Sequence, residues 1–446
     1  LRIARKHPLF TTPLITMLPA KSFAKGFNPI QLLAAMESGR QTDFNLITRT
    51  GPKLVNPQAG YDTNFFPCPP PPADNSRATA AELLEVGAAV IFRDTPFAQI
   101  APAVPNMGMV RTVLRGFGAD FTGPTRGDCL FRRGLSDLAG PYVSQLLIHP
   151  VPSGNYPIAQ QTRLRTGNYG NSADTNAALQ AGNIPVPQSY AGPAVYVNSP
   201  RALASYVHQD PPFLLALQAA MILGAWVPRS SRFPARPTEA AFVSFGGTVD
   251  LHCAIAEVTR LALQAAWDAK WRRFMRRRPE ELWPDTASLH PDFLAIGQPI
   301  VDAVGSYLPM VYAEGCPIHP DYPSGHAVIG GATATILKAW FADGDWSAQT
   351  GLSVVHSIDG ASIEQWQPPA TTTALPVTVH GELNKFAANM GWGRNFAGIH
   401  LRSSADAGMA LGEAVAIRYL NERRAASYEG LADVTFKLFD GRTLTI

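Results

Sequence analysis

Two short segments in the C-terminal half of the chain constrain it most. Residues 322–326 read YPSGH, and residues 393–400 read GRNFAGIH. Upstream lie Lys270 and, eight residues later, Arg278, which is followed by a proline. Together these residues contribute three cations, a hydroxyl group, a glycine and two imidazoles. Such a set is suited to binding a tetrahedral oxyanion beside an acid–base group.

The composition excludes several classes of protein. With 446 residues, 46% of them hydrophobic, the chain is long enough for one large or two medium domains. Only 16% of the residues are charged, below the ~25% of soluble domains, so we expect surface that is neutral or buried against other subunits. A net charge of +3 is too small for a nucleic-acid-binding surface. No disulfide framework or zinc site is predicted from the widely spaced cysteines, Cys68, Cys129, Cys253 and Cys316.

No membrane span is predicted. The most apolar stretch, residues 213–227, is too short to cross a bilayer and is typical of a core helix. Residues 1–24 place basic residues ahead of an apolar stretch, but three prolines interrupt that stretch, so we expect no cleaved leader. We therefore expect a soluble protein and leave its compartment open, with secretion and a periplasmic location among the alternatives.

The periodicity predicts a mainly α-helical chain. An irregular, proline-rich and partly helical region, residues 1–120, is expected to pack on a helical domain spanning residues 121–446. Residues 166–195 are expected to form a long ordered loop. A C-terminal hairpin with a type I′ turn at Asp440-Gly441 is also predicted. Helices are predicted over residues 80–93 (amphipathic), 211–226, 248–277, 291–306, 324–342, 381–392 and 402–424.

Helical geometry would allow Lys270 and Arg278 to reach one pocket. At about 100° per residue, eight positions leave them roughly 80° apart, provided that the helix continues through its last turn. The alternative is that the cationic run 270–278 is a solvated face.

The segment 322–326 predicts an anion site at a helix N-terminus. Ser324 and Gly325 would lie at the first turn, where free N–H groups and the helix dipole attract negative charge. The alternative is an ordinary serine N-cap, with His326 a helix residue of no special role. Arg394 adds a planar bidentate donor, and His400 follows it by six residues.

The order of these motifs resembles that of the vanadium-dependent haloperoxidases, which share their anion pocket with the type-2 phosphatidic-acid phosphatases. The eight-residue spacing of Lys270 and Arg278, and His319 seven residues before His326, are similar to the algal bromoperoxidases. The resemblance covers about residue 125 to the C-terminus. It extends to residues 130–132, 140–142, 381–385, 392–395 and 439–441.

The resemblance implies a role for each residue of the motifs. His400 would be the axial nitrogen ligand of vanadium, and its other ring nitrogen requires an acceptor that the sequence does not identify. His326 would be the acid–base group, with His319 and Lys270 as further catalytic residues. Trp267, where red-algal enzymes tend to have arginine, is a candidate for tuning halide preference. The implied vanadate-binding residues are Lys270, Arg278, Ser324, Gly325, Arg394 and His400.

The resemblance also implies a fold and an activity. The fold would be two packed four-helix bundles with long loops, the pocket lying in the second. The enzyme would use hydrogen peroxide to oxidise bromide or iodide, and chloride poorly, to a hypohalous acid that halogenates organic nucleophiles. Phosphate is expected to compete for the vanadate site. Calcium stays open, because residues 230–245 lack an acidic cluster.

The resemblance further implies a homo-oligomer, with a dimer and a dodecamer as the two alternatives. Two other functions stay open at this point. One is an acid phosphatase that uses His400 as nucleophile and His326 as leaving-group acid. The other is a non-catalytic oligomer whose pocket holds phosphate.

Overall fold

The computed structural model describes residues 66–100, 105–117, 139–208, 212–233, 246–367, 375–427 and 431–446. The predicted boundary at residue 120 lies outside these ranges and stays a prediction. The helices are α1 (Arg77–Phe92), α2 (Met107–Gly116), α3 (Ala173–Gln180), α4 (Pro200–Tyr206), α5 (Leu214–Trp226), α6 (Thr248–Trp267), α7 (Pro279–Leu282), α8 (Asp292–Ala295), α9 (Gln298–Val304), α10 (Gly325–Trp340), α11 (Trp346–Thr350), α12 (Val379–Phe396) and α13 (Arg402–Ala426). The strands are β1 (Val354–His356), β2 (Ile363–Gln365), β3 (Thr435–Lys437) and β4 (Thr443–Thr445).

A four-helix bundle of α6, α10, α12 and α13 surrounds the site described below. Its central helix, α10, is buried from Ala327 to Trp340. Glycines let α10 and α13 approach at backbone distance: a Cβ on Gly331 would lie 2.2 Å from the carbonyl oxygen of Met409. A Cβ on Gly412 would lie 2.0 Å from that of Val328. This close packing fixes the N-terminus of α10 relative to α13.

A second helical group, α1 with α2, α8 and α9, packs beside the bundle. The helix predicted at residues 80–93 is present as α1, but it is not amphipathic, because it is buried on nearly all sides, including Glu82 and Glu85. Glu85 accepts hydrogen bonds from Arg402 Nε at 2.9 Å and Nη2 at 2.5 Å. Glu82 accepts from Arg276 Nη2 at 3.3 Å. The carboxylates can be buried because bundle arginines pair with them.

The mainly α-helical class is confirmed, but the predicted helix 248–277 is wrong at its end. The α-helix α6 ends at Trp267, and a π-helix, Asp268–Phe274, follows it directly. Met275 then takes a left-handed conformation with φ 48°, and Arg278 is extended with φ −87° and ψ 157°. Lys270 and Arg278 therefore do not share a helix. The chain turns between them, and that turn brings Arg278 back to the site.

Other elements differ from the predictions in detail. The predicted helix 291–306 is two short helices, α8 and α9, separated at Gly297, where a Cβ would lie 2.2 Å from the carbonyl oxygen of Phe293. Residues 166–195 contain the short helix α3. The strands β1 and β2 form an unpredicted hairpin. Helix α12 continues past residue 392 to Phe396 and so carries Arg394.

The C-terminal hairpin is present, with β3 antiparallel to β4. Its turn is not type I′, because only Gly441, with φ 87°, has a positive φ there. Leu438 N donates to Arg442 O at 2.8 Å, and Gly441 N donates to Leu438 O at 3.0 Å. These bonds close a three-residue loop. No helix within the described ranges combines the length and apolarity needed to cross a membrane.

Candidate active site

The loop that precedes α10 is held by Lys270. This residue lies in the π-helix and is 2% exposed. Its ammonium group donates to the carbonyl oxygens of Pro320, at 2.7 Å, and Asp321, at 3.2 Å. A buried cation is thereby fixed behind the first turn of α10.

Arg278 reaches the same place from the other side of the turn. Its Nε donates to His319 O at 2.9 Å and its Nη1 to Ile399 O at 2.7 Å. Nη2 lies 3.0 Å from His319 Nδ1, and Nη1 lies 3.1 Å from His400 Nε2. A guanidinium only donates, so His400 Nε2 carries a lone pair, whereas His319 Nδ1 lies between this donor and the carbonyl oxygen of Pro320, 3.2 Å away.

The acceptor that His400 requires is Asp321. His400 Nδ1 lies 2.6 Å from Asp321 Oδ1, and Asp321 Oδ2 accepts from the Ser404 hydroxyl. The carboxylate holds the proton on Nδ1 and leaves the lone pair on Nε2, where Arg278 Nη1 is its present partner. Burial, then the charges of Arg278 and Lys270, place the pKa of His400 well below its ordinary value. The imidazole is therefore neutral, as a metal ligand must be.

The first turn of α10 presents unsatisfied donors. Ser324 is the N-cap residue, but its side chain makes no capping hydrogen bond, and its buried hydroxyl oxygen has no partner among the described residues. The ordinary N-cap alternative is therefore not what the structure has. A Cβ on Gly325 would meet only Leu263 Cδ2, at 3.8 Å, so space is open above the turn. The turn is arranged to receive an anion.

His326 faces the same space. The backbone of Val207 forms a hydrogen bond with its ring, while its buried Nε2 has no partner within the described ranges. The bond therefore uses Nδ1, which donates to the carbonyl, and Nε2 keeps a lone pair. Burial, then the charges of Arg394 and His400, lower the pKa of His326 well below its ordinary value. His326 is therefore a neutral base in the helix turn that borders the pocket.

Arg394 completes the cationic lining. Its Nη1 donates to the Tyr312 hydroxyl at 3.2 Å, and its guanidinium carbon lies 5.0 Å from the centre of the Tyr312 ring. The Tyr312 hydroxyl in turn donates to Ala204 O at 2.8 Å. Arg394 Nε is buried and has no partner in the described part of the chain. Tyr312 thus holds the guanidinium while leaving one donor for a ligand.

We call the space between these groups the anion pocket. Its buried cations are Lys270, Arg278 and Arg394, and the carboxylate of Asp321 beside them is hydrogen-bonded to His400. Among the described residues no group of His, Cys, Asp or Glu could hold a metal cation by itself. Excess positive charge together with free donors fits a vanadate oxyanion, and the His400 lone pair fits its metal atom.

Comparison with known proteins agrees with this geometry. Residues 251–427 match the family model of the VCPO second helical-bundle domain, and this range contains every residue of the anion pocket. The chain belongs to the vanadium-dependent haloperoxidase family. The tetrahedral-anion motifs are therefore those of the haloperoxidase domain.

Relatives of the family extend the match. A vanadium-dependent bromoperoxidase of Ascophyllum nodosum is 28% identical over 88% of this chain and 77% of its own length. One of Corallina pilulifera is 30% identical over 70% of this chain and 57% of its own length. The fold resembles the solved homohexameric second vanadate-dependent bromoperoxidase of Ascophyllum nodosum. The TM-score is 0.75 at 24% identity, with 99% of this chain and 85% of that chain covered.

Nearly all the predicted site residues meet in space. The residues gathered at the anion pocket are Lys270, Arg278, His319, Ser324, Gly325, His326, Arg394 and His400. Their individual roles stay predictions. Trp267 is half-buried at the end of α6, and no polar contact links it to the pocket in the described ranges. Of the segment relevant to calcium, residues 234–245 lie outside the described ranges.

Sequence reasoning missed two supporting residues. Asp321 lies between His319 and Ser324, inside the predicted segment, so its position was a signal that could have identified the acceptor of His400. Tyr312 lies 82 positions from Arg394 along the chain. Nothing local in the sequence links the two.

Proposed function

We propose that this protein is a vanadium-dependent bromoperoxidase. The observation that carries the proposal is the convergence of unpartnered polar atoms, Ser324 Oγ, His326 Nε2 and Arg394 Nε, with three buried cations at one helix N-terminus. The pocket lies in a chain whose relatives are named as vanadium-dependent bromoperoxidases. Oxidation of bromide follows from that likeness together with this pocket.

The chain would bind vanadate through positive charge and through hydrogen-bond donors that orient it. Lys270, Arg278 and Arg394 neutralise the oxyanion, and the Ser324 hydroxyl with the N–H of Gly325 orients it. His400 Nε2 would supply the lone pair for the metal atom, with the imidazole held in position by the carboxylate on Nδ1. When bound, vanadate would supply Lewis-acid activation of hydrogen peroxide.

His326 would move the protons of the reaction. Its neutral Nε2 accepts a proton from incoming hydrogen peroxide and returns it to the oxygen that leaves as water. Bromide is oxidised and peroxide is reduced: hydrogen peroxide, bromide and one proton give hypobromous acid and water. Because His326 is not a ligand of the metal in this proposal, its loss should stop turnover without releasing vanadate.

Halide preference would depend on the residues behind the oxyanion. His319 Nδ1 lies 3.0 Å from Arg278 Nη2, and burial with the charges of Lys270 and Arg278 lowers the pKa of His319 well below its ordinary value. A neutral imidazole there adds no cation to help oxidise chloride. We therefore propose bromide and iodide as substrates, with His319 and Trp267 tuning the preference.

We also propose that the protein is a homo-oligomer. A solved relative of similar fold is homohexameric, which is neither of the two subunit numbers predicted from the sequence. The low charged fraction of 16% supports surface buried between subunits. Sedimentation velocity of the full chain would give the number, and a monomer at micromolar concentration would contradict this part of the proposal.

The test of the proposed activity compares two reactions on one preparation. Bromination of a dione dye is followed with bromide, hydrogen peroxide and added orthovanadate, beside hydrolysis of a phosphate ester without vanadate. We expect bromination that requires all three additions. Phosphatase activity with no bromination would favour the acid phosphatase, and neither activity would favour the non-catalytic anion-binding protein. His326→Ala should lose bromination while retaining vanadium.

A further inference from the structure

An aromatic side chain flanked by two arginines lies one layer outside the anion pocket. Arg165 and Tyr190 are paired across an antiparallel bridge. Arg163 and Arg165 are two positions apart in extended chain and so point to the same face. Their guanidinium carbons lie 5.1 Å and 5.3 Å from the centre of the Tyr190 ring. We call Arg163, Arg165 and Tyr190 the entrance shelf.

The entrance shelf is tied directly to the pocket. Arg165 Nη2 lies 2.9 Å from His208 Nδ1, and the His208 ring lies edge-on to the Tyr312 ring at 4.2 Å. Tyr312 holds Arg394, and Val207, the neighbour of His208, holds His326. The shelf is therefore linked through His208 to both the residue that holds the oxyanion-binding arginine and the residue beside the proposed base.

The side chains between the shelf and the pocket are open to solvent on their outer side. The side chains of His208 and Glu314, which lie 2.5 Å apart, are 28% and 43% exposed. Tyr190 is 42% exposed, and the same segment exposes Ile184 and Val186. By contrast, the pocket residues Ser324 and His400 are 0% and 2% exposed. A molecule that approaches the oxidant from this side passes over the shelf.

The two arginines of the shelf differ in their hydrogen-bond partners, and this difference indicates a ligand. Arg165 already has protein partners, since its Nη1 donates to Gln188 Oε1 at 2.7 Å and its Nη2 to His208. The nearby carboxylate of Glu314 is paired with His208. Arg163 is exposed, and within the described ranges its guanidinium contacts only the Tyr190 ring. It is a cation beside an aromatic surface, with its hydrogen-bond donors available.

Resting on the proposed function, we propose that the entrance shelf binds the organic substrate, and that this substrate is a small electron-rich aromatic molecule with a carboxylate. Arg163 would bind the carboxylate, while Tyr190 and the guanidinium planes provide a stacking surface for the ring. Hypobromous acid leaving the pocket then meets this ring first. An aromatic C–H is replaced by C–Br, and the released proton combines with the hydroxide of hypobromous acid to give water.

The test is a competition between two phenols of matched reactivity. The protein loaded with vanadate receives equal amounts of 3-(4-hydroxyphenyl)propanoate and its primary amide, and the ratio of brominated products is compared with that from reagent hypobromite. We expect the enzyme to favour the acid about fivefold, the size of one exposed charge-assisted contact. Arg163→Gln and Tyr190→Leu should return to the reagent ratio. Arg442→Gln, at an exposed arginine of the C-terminal hairpin, should not.

A second measurement separates this proposal from the proposed function. Binding of the propanoate to vanadium-free protein is followed by calorimetry, with Arg163→Gln for comparison. Weaker binding to the variant supports the shelf even if no bromination is found. A wild-type product ratio equal to that of reagent hypobromite, or equal affinity of wild type and variant, overturns the shelf while leaving bromide oxidation intact.

Discussion

Two neighbouring regions of this molecule bury charge in opposite ways. In the anion pocket, Lys270, Arg278 and Arg394 are 2%, 2% and 7% exposed, and polar atoms beside them are unpartnered. Beneath helix α1 lies what we call the paired cluster, in which Arg402 binds Glu85 through two nitrogens and Arg276 binds Glu82. Each guanidinium in the paired cluster has a carboxylate partner.

Whether a buried cation has a carboxylate partner distinguishes a binding site from a structural ion pair. Removing a charge from water costs free energy that a paired cluster recovers internally. In the anion pocket this cost is offset only when an anion binds. In the empty protein other interactions must offset it, among them the tight packing of α10 against α13. We expect the pocket to trade stability for binding, and the paired cluster to contribute stability alone.

The largest effect should follow removal of the metal ligand. His400→Ala deletes the Nε2 lone pair, and we expect bromination to fall by about three orders of magnitude or more, because vanadate is no longer coordinated. Vanadium retained after gel filtration, measured by mass spectrometry, checks this. His380→Ala, at a buried histidine bonded to Phe341 O, is the matched control. Normal vanadium content in His400→Ala would rule out its role.

Breaking the paired cluster should affect stability instead. Glu85→Gln leaves the buried Arg402 charge without its carboxylate, and we expect a loss of roughly 3 kcal/mol in the free energy of unfolding. Urea unfolding measures it, with Glu364→Gln on exposed β2 as control. Vanadate affinity of the folded protein should stay within about twofold of wild type.

The reverse substitution sharpens the contrast. Arg394→Met removes a cation from the anion pocket, and we expect no loss of stability in the vanadate-free protein while vanadate affinity falls, since like-charge repulsion is relieved. If Arg394→Met lost as much stability as Glu85→Gln, the distinction between the two regions would fail.

A fourth variant tests the partner of His400. Asp321→Asn can still contact Nδ1 but no longer fixes the proton there, and we expect vanadate affinity to fall about 10- to 100-fold. Equilibrium dialysis against vanadate gives the affinity, and Ser404→Ala, which keeps the carboxylate, should lose less. An unchanged affinity in Asp321→Asn would show that the tautomer of His400 is set by other groups.

A smaller effect is expected at Tyr312. Tyr312→Phe keeps the ring beside Arg394 but removes the hydroxyl that accepts from Nη1. We expect vanadate affinity to fall about fivefold, the value of one hydrogen bond of ~1 kcal/mol. Tyr206→Phe, at another buried hydroxyl, which donates to Gln160, is the control. Equal losses in both variants would mean that the effect is general destabilisation.

The pH dependence of stability should also distinguish the loaded pocket from the empty one. Burial and neighbouring cations hold the pKa of His326 and His400 well below 6.5. For these two histidines the unfolded chain takes up protons first, so their contribution to the free energy of unfolding should fall as the pH falls through 6.5. Burial raises the pKa of Glu85 to about 7, so this carboxyl contributes in the opposite direction, equally with and without vanadate. Bound vanadate adds negative charge beside His326, which raises the pKa of that residue and should reduce its share of the slope, while coordination keeps His400 Nε2 unprotonated. Identical slopes from pH 7.5 to 5.5 with and without vanadate would contradict this.

The sequence predicts which residues form the anion pocket better than it predicts how the backbone brings them together. The residue types and order of 322–326 and 393–400 depend on local chemistry, which a sequence displays. The route by which Arg278 arrives could not be predicted, because a π-helix and a left-handed Met275 interrupt a pattern that looks helical throughout. The burial of Glu82 and Glu85 was also hidden, since their partners lie about 200 and 300 positions away.

The most direct test of the central claim is a stoichiometric titration. Vanadium-free protein is titrated with orthovanadate while bound vanadium and bromide oxidation are measured on the same samples. We expect activity to rise in proportion to bound vanadium and to saturate at one vanadium per chain. Excess phosphate should shift the binding curve to higher vanadate concentration. Bromide oxidation that does not depend on vanadium, or vanadium bound at one per chain with no bromide oxidation, would contradict it.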